Sequence, residues 1–375
     1  MSQLPKEVGV ILVSSGLWGA LDLYVKIHER NGLLYLNFFP SEKHLRVKQV
    51  LKSRITFLRG LTVFVVVHTA FCFVSLIVKF GSKGEVGDDL GNIGQTFLTF
   101  YIATLFSCMM ATSVILSFWS EILCTMINTV SFMEERVSDI SDKTNTSYPK
   151  SNKMLEHGLT TSLKLIYFIV PTLASVVILF DLDPAISLLP PLYPLTFPSL
   201  TAFVLRLTII LILATDIVKS AWFMLLMSLI LLTTVMEWSR QMQNIVQNDT
   251  INHNKVIRTY REMLVWINFV NQEYCDLAIP PLICFGMGTL ILTNYGTIQL
   301  YGALPAPLYA LMPITSLNGL PFLAIILPTG SMVHVVATRF KEKLRWKLRE
   351  KYEHRLFRSL KTMAVNIYKS IWKGG

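Results

Sequence analysis

The stretch ITFLRGLTVFVVVHTAFCFVSLIVKF, residues 55 to 80, contains only two charged side chains, Arg59 and Lys79. A bilayer core about 30 Å thick is crossed by roughly 20 predominantly apolar helical residues. Five further long apolar runs follow along the chain, at residues 96 to 119, 159 to 182, 201 to 236, 275 to 299 and 306 to 338. The sequence therefore predicts six transmembrane helices.

The composition of the whole chain agrees with a lipid-embedded protein. Of 375 residues, 52% are hydrophobic and only 15% are charged, and the mean hydropathy is +0.50. Soluble domains carry about 25% charged residues. Spans made of strands would be alternating segments of about ten residues, so we expect an all-α, polytopic helical bundle. The five cysteines form no CxxC pair, and we expect free thiols.

Lysine and arginine are divided very unevenly between the segments that flank the runs. Residues 1 to 54 carry eight and residues 339 to 375 carry twelve, whereas the segments 81 to 95, 183 to 200 and 300 to 305 carry only Lys83. Basic residues near the ends of spans are retained in the cytosol. We therefore expect a membrane protein with a cytoplasmic N-terminus. The predicted divisions are a cytosolic segment 1 to 54, a six-span bundle 55 to 338 and a basic cytosolic tail 339 to 375.

The run from Val8 to Val25 is ambiguous. It has 18 residues and includes three glycines and Asp22. Such a segment crosses the membrane as a short span or lies in the interface as an amphipathic helix. Only Lys6 would change sides if it were a span, so the charge distribution does not separate the two.

Motifs for enzymatic chemistry are absent from the sequence. The seven histidines form no HExxH pair, and there is no phosphate-binding loop or GxSxG elbow. We expect neither an enzyme nor a cofactor or metal site. The net charge of +10 is explained by the basic cytosolic segments, so nucleic acid is not an expected partner.

Candidate ligand-binding residues are ionisable or aromatic side chains and methionines inside the runs. Asp216 and Lys219 are three residues apart in the fourth run and can pair on one helix face. They form either a structural pair or a polar lining beside a water-filled pocket. Aromatic and thioether side chains suit a small organic ligand. The full candidate set is Tyr101, Met109, Tyr167, Phe168, Asp216, Lys219, Trp222, Phe223 and Met224.

Four stretches, taken in order, resemble the C-terminal half of springtail members of the arthropod odorant and gustatory receptor superfamily. They are YREMLVWINFVNQEY (260 to 274), YGTIQLYG (295 to 302), PLYALMPITSLNG (307 to 319) and RLFRSLKTMAVNIY (355 to 368). The earlier LNFFPSEKHLRVKQVLKSR, residues 36 to 54, resembles the lead-in to the first span of these proteins.

The resemblance implies a chemosensory, ligand-gated cation channel that assembles as a homotetramer or heterotetramer with other receptor subunits. It also implies a ligand site in the outer half of each bundle and a last span that lines the pore. Members continue past the segment matching RSLKTMAVNIY into that seventh span, whereas this chain ends at KSIWKGG, so the pore-lining helix is expected to be missing.

Two other classes remain open. A seven-span G-protein-coupled receptor would use Val8 to Val25 as its first span, although no DRY-like or NPxxY-like stretch is found. A transporter would show paired Gly or Pro breaks in repeated halves, which the prolines here do not show.

Overall fold

The computed structural model describes residues 12–29, 34, 36–40, 45–49, 52–82, 90–140, 153–179, 197–247, 253–347 and 363. Helices dominate this part of the chain. They are α1 (Ser15–Glu29), α2 (Lys52–Ser82), α3 (Leu90–Phe118), α4 (Ser120–Ile140), α5 (Lys153–Leu179), α6 (Phe197–Gln247), α7 (His253–Val270), α8 (Asp276–Gln299) and α9 (Ala306–Lys347). A π-helical turn, Asn271–Cys275, joins α7 to α8.

In its described residues, each of the six predicted runs is helical, in α2, α3, α5, α6, α8 and α9. Within the described residues, two helical stretches, Ser53–Val74 and Phe203–Gln247, are long and apolar enough to cross a membrane. Two bent pairs raise that number to four if each pair forms one span. The prediction of a bundle of membrane helices is thus confirmed in its coarse form.

The two bends have different causes. The pair 156–165 and 170–179 in α5 is bent by 44°, next to Pro171, whose missing N–H removes a hydrogen bond from the preceding turn. The pair 110–118 and 120–140 is bent by 75° at Trp119. Beyond that bend, α4 carries four ionisable side chains between residues 134 and 139, so its C-terminal end does not belong in hydrocarbon.

A short β-hairpin was not predicted. Strand β1 (Leu36–Pro40) pairs antiparallel with β2 (Leu45–Gln49), with Leu36 opposite Gln49. It lies in the segment that resembles the lead-in to the first span. The described part of the fold is therefore helical with one small sheet, where we had expected helices alone.

Two apolar cores hold the helices together. The first, which we call the basal core, joins α1, α4, the C-terminal part of α6, α7 and the end of α9. Trp238, Tyr260 and Phe340 are its aromatic centre, with ring centroids 5.5 to 6.1 Å apart. The second, the distal core, joins α2, α3, α5, the N-terminal part of α6 and α9 around Tyr101, Ile210 and Met312.

The predicted basic tail lies largely outside the described residues. Its first part, up to Lys347, continues α9, and Met363 is buried in the basal core. Four cysteines are described, Cys72, Cys124, Cys275 and Cys284, and all four are free thiols as predicted.

Candidate functional site

A buried pair of opposite charges lies in the middle of α6. The Lys219 ammonium donates a hydrogen bond to Oδ1 of Asp216, and the two side chains are 1% and 0% exposed. Their spacing of three residues places them on one helix face. The pairing predicted from the sequence is confirmed, and it lets two ionised groups remain inside an apolar helix.

A hydrogen-bonded chain of hydroxyl groups from two neighbouring helices leads to the Asp216 carboxylate. Ser113 of α3 donates a hydrogen bond of 2.6 Å to Asp216 Oδ2. Thr62 of α2 contacts the hydroxyl groups of both Ser113 and Ser117, the former at 3.4 Å. Ser117 also donates to the Ser113 carbonyl oxygen at 2.9 Å. The carboxylate is thus bonded at both oxygens, as a buried charge requires.

Helix α1 approaches the same pair from the other side. The Tyr24 hydroxyl donates a hydrogen bond of 3.0 Å to the backbone carbonyl of Lys219. The rings of Tyr24 and Phe223 are 5.8 Å apart. This bond uses a carbonyl in the interior of α6 and fixes the position of α1 along that helix.

His28 lies one turn beyond Tyr24, with its ring centroid 4.6 Å from the tyrosine ring. It is 2% exposed, and neither ring nitrogen has a hydrogen-bond partner among the described residues. Burial, and next the positive charge of Lys219, lower the pKa of His28 to about 4, although the negative charge of Asp216 opposes the shift. The imidazole therefore stays neutral near pH 7.

These groups form one polar cluster, Tyr24, His28, Thr62, Ser113, Ser117, Asp216 and Lys219. The cluster connects α1, α2, α3 and α6 where the two cores meet, because Leu213 belongs to the distal core and Phe223 to the basal core. Its chemistry is that of a neutral, internally bonded charge pair. A movement of α1 or α6 would have to break hydrogen bonds in the cluster.

The other candidate ligand residues are not brought to this cluster. Tyr101 is buried in the distal core and donates a hydrogen bond of 2.7 Å to Thr315 Oγ1 of α9. Phe168 is 73% exposed on α5. Met109 and Tyr167 lie in α3 and α5, but their side chains are outside the described ones.

The aromatic and thioether candidates of α6 lie in the basal core. Phe223 and Met224 are 2% and 1% exposed, and Trp222 packs against the same core. The Met224 sulfur accepts a hydrogen bond of 3.4 Å from Tyr274 at the π turn. The candidate set is therefore divided between Tyr101 in the distal core, the charge pair at the junction and residues 222 to 224 in the basal core.

Sequence reasoning missed the residues that surround the charge pair. Ser113 and Ser117 are four apart in α3, which is a signal for a polar stripe inside an apolar helix. Tyr24 and His28 have the same spacing in α1. Nothing in the sequence connects these stripes to Asp216, because Ser113 and Tyr24 meet α6 across 103 and 195 positions of chain.

Among the described residues, no three or more His, Cys, Asp or Glu side chains form a group that would hold a metal ion. Compared with known proteins, the chain matches no protein-family model and no curated protein.

Proposed function

We propose that the chain is a chemosensory receptor subunit of the arthropod odorant and gustatory receptor superfamily, part of a ligand-gated cation channel of the plasma membrane. In this proposal six helices cross the bilayer, the N-terminus is cytoplasmic and small organic ligands bind in the outer half of the bundle. The resemblance of the stretches at 260 to 274, 295 to 302 and 307 to 319 supports it, together with the distribution of basic residues.

The observation that carries the proposal is the basal core. Helix α6 has 51 residues and α9 has 42, which correspond to about 77 and 63 Å, well beyond the 30 Å of a bilayer core. Their excess length, with α7, forms the core around Trp238, Tyr260 and Phe340. The family that the sequence resembles uses cytosolic helix extensions of this kind to assemble its tetramer.

The short N-terminal helix weighs against a G-protein-coupled receptor. Helix α1 has 15 residues, about 22 Å, which is too short to cross the hydrocarbon core. Its apolar residues Leu17, Leu21 and Val25 belong to the basal core. In the proposed orientation α1 and the N-terminus share the cytosolic side with the basic segments.

Ligand-evoked cation current tests the proposal. The chain is expressed at the surface of cells, alone and together with another subunit of the superfamily, and a panel of volatile and water-soluble organic compounds is applied under voltage clamp. We expect at least one compound to open a cation conductance that cells expressing the partner alone lack. A tag at the N-terminus should bind its antibody only after permeabilisation.

Tyr101 provides a variant that reports on the ligand region. Tyr101→Phe removes the hydrogen bond to Thr315 in the distal core, and we expect the half-maximal ligand concentration to change by about threefold to tenfold, as the loss of one buried hydrogen bond would produce. Tyr301→Phe, in a turn and 78% exposed, is the matched control and should leave that concentration unchanged.

The receptor proposal is wrong if surface-expressed protein yields no ligand-evoked current, alone or with a partner subunit. It is also wrong if the N-terminal tag binds its antibody on intact cells.

A further inference from the structure

The π turn between α7 and α8 contains one residue more than an α-helical turn would. The N–H of Asp276 donates to the carbonyl of Asn271, five residues back. An α-helix would pair it with Gln272, four residues back. A π turn is equivalent to a single-residue insertion, and such turns often lie at functional positions.

The helices on both sides of the turn are held by different cores. Met263, Ile267 and Val270 fix α7 in the basal core. Further along α8, Gly296 lies against Phe97 of α3 and Met312 of α9, which belong to the distal core or pack against it. The extra residue thus lies between a segment packed in the basal core and a segment packed against the distal core.

The first turns of α8 lack two backbone hydrogen bonds, although Ala278 is buried in the basal core. Pro280 and Pro281 lack the N–H groups that would bond the carbonyls of Asp276 and Leu277. Across the turn, Tyr274 connects to α6 through its hydroxyl, which contacts the Met224 carbonyl at 3.4 Å and the Ser228 hydroxyl at 3.3 Å. These distances are long for hydrogen bonds, so the connection is one that breaks readily.

We propose that the π turn is a register switch, in which the extra residue moves toward Pro280 and Pro281 and the segment between rotates by about 100°. In the switched register, Cys275 takes the position now held by the exposed Asp276, and Glu273 takes the buried position of Tyr274. Burial of the Glu273 carboxylate makes the switched register the minor one. The switch does not depend on the proposed receptor activity, because it concerns only the helix register.

A pair of deletions tests whether the turn holds a removable residue. Deleting Gln272, which is exposed in the π turn, converts the turn to α-helix and keeps both flanking helices in their present packing. Deleting Met287, which is 47% exposed in α8, rotates the rest of that helix by about 100°. We expect the first protein to unfold in detergent near the wild-type temperature and the second to be poorly folded. Equal damage by the two deletions would overturn the proposal.

Labelling of Cys275 tests the rotation itself. The thiol is 2% exposed, and its reaction with a maleimide is measured by peptide mapping against the buried Cys124 as internal reference. Tyr274→Phe removes the hydroxyl contacts that favour the present register, and Glu273→Leu removes the unfavourable burial of a carboxylate in the switched register. The two substitutions are combined in one protein. We expect the labelling rate of Cys275 to rise by about tenfold, the effect of removing one or two buried polar interactions.

The same two substitutions are also made in the protein that lacks Gln272. Comparing Cys275 labelling in the two backgrounds distinguishes rotation of the helix segment from general loosening of the turn. Without the extra residue there is no second register, so labelling of Cys275 should stay at the wild-type rate. A rise in both backgrounds would mean general loosening of the turn, and no rise in either would mean that the register is fixed. Both results would overturn the switch.

Discussion

Asp216 and Lys219 are stable inside α6 only because each neutralises the other. A lone charge at the centre of a membrane helix costs about 2.5 to 3.5 kcal/mol on insertion scales. The carboxylate also accepts a hydrogen bond from Ser113, whereas the exposed Asp22–Lys26 pair of α1 has side chains that are 61% and 69% exposed. The two pairs therefore differ mainly in burial, and one is a control for the other.

Removing one partner of the buried pair should destabilise the protein strongly. We expect Lys219→Met to lower the free energy of unfolding by about 3 to 5 kcal/mol, because it leaves the Asp216 carboxylate buried and unpaired. Thermal unfolding in detergent is the measurement. Lys26→Met should change stability by less than about 1 kcal/mol, since an exposed pair contributes little. Adding Asp216→Asn to Lys219→Met should restore part of the loss, and a single variant as stable as wild type would contradict the role of the pair.

Glu134 links the residues just before α1 to the charged end of α4, outside the apolar spans. Its carboxylate accepts a hydrogen bond of 3.0 Å from the N–H of Leu12, and a second from Val13. Burial raises the pKa of Glu134 to about 7, although both hydrogen bonds oppose the rise. The folded protein thus binds this proton more tightly than the unfolded chain, in which the pKa has its usual value of about 4.5.

The pH dependence follows from that difference. Between pH 4.5 and pH 7 the unfolded chain has lost the proton while the folded protein keeps it, so the contribution of Glu134 to stability is full below pH 4.5 and is lost as pH rises to 7. Hydrogen exchange at the amides of Leu12 and Val13 should therefore speed up over this range, beyond the intrinsic base catalysis. Glu134→Gln should remove the extra acceleration, and Glu135→Gln, an exposed neighbour, should keep it. Identical profiles for the two variants would contradict the assignment.

At the scale of helices, α8 depends on one close approach. A Cβ atom on Gly296 would lie 2.9 Å from Cε1 of Phe97 and 3.1 Å from the Met312 sulfur. We expect Gly296→Ala to destabilise the protein by about 1 to 2 kcal/mol, because the aromatic ring or α8 itself must shift. Gly288→Ala, where nothing lies within 4 Å, should be neutral or slightly stabilising. Unfolding temperatures of the two variants give the comparison, and equal values would show that α3, α8 and α9 pack less closely there.

The sequence predicted those helices that contain an apolar run long enough to cross the bilayer. All six runs are helical in their described residues, because hydrophobic length alone is a sufficient signal in a membrane protein. The hairpin of β1 and β2 gave no such signal, since its strands have only five residues each. The π turn was missed for another reason: Asn271–Cys275 continues the helical pattern, and one extra residue becomes visible only when both flanks are packed.

At the scale of the whole molecule, the candidate site was predictable only in its local part. The spacing of Asp216 and Lys219 is a property of one helix, and their pairing followed from it. The rest of the cluster depends on which helices are neighbours of α6, because it includes Tyr24, Thr62 and Ser113 from other helices. The periodicity of the sequence does not indicate which helices are neighbours. The proposed ligand residues show the same limit, because Tyr101 and Met224 are both buried and yet belong to different cores.

The orientation of the bundle leads to a prediction that involves both of its ends. Tyr301 lies in the turn between α8 and α9 and is 78% exposed, and Trp346 is 88% exposed near the end of α9. The 44 residues between them include the whole apolar part of α9. The turn is uncharged and the α9 end is basic, so the first should face outward and the second the cytosol.

Cysteines at these two positions should react on opposite sides of the membrane. In a Cys284→Ser background, which removes the one thiol that is exposed among the described side chains, we expect a membrane-impermeant maleimide to label Tyr301→Cys on intact cells. Trp346→Cys should be labelled only after permeabilisation. The similar exposure of the two sites makes each the control for the other, because a difference in labelling then reports sidedness and not burial. Labelling of Trp346→Cys from outside would reverse the orientation and, with it, the cytosolic position of the basal core on which the receptor proposal rests.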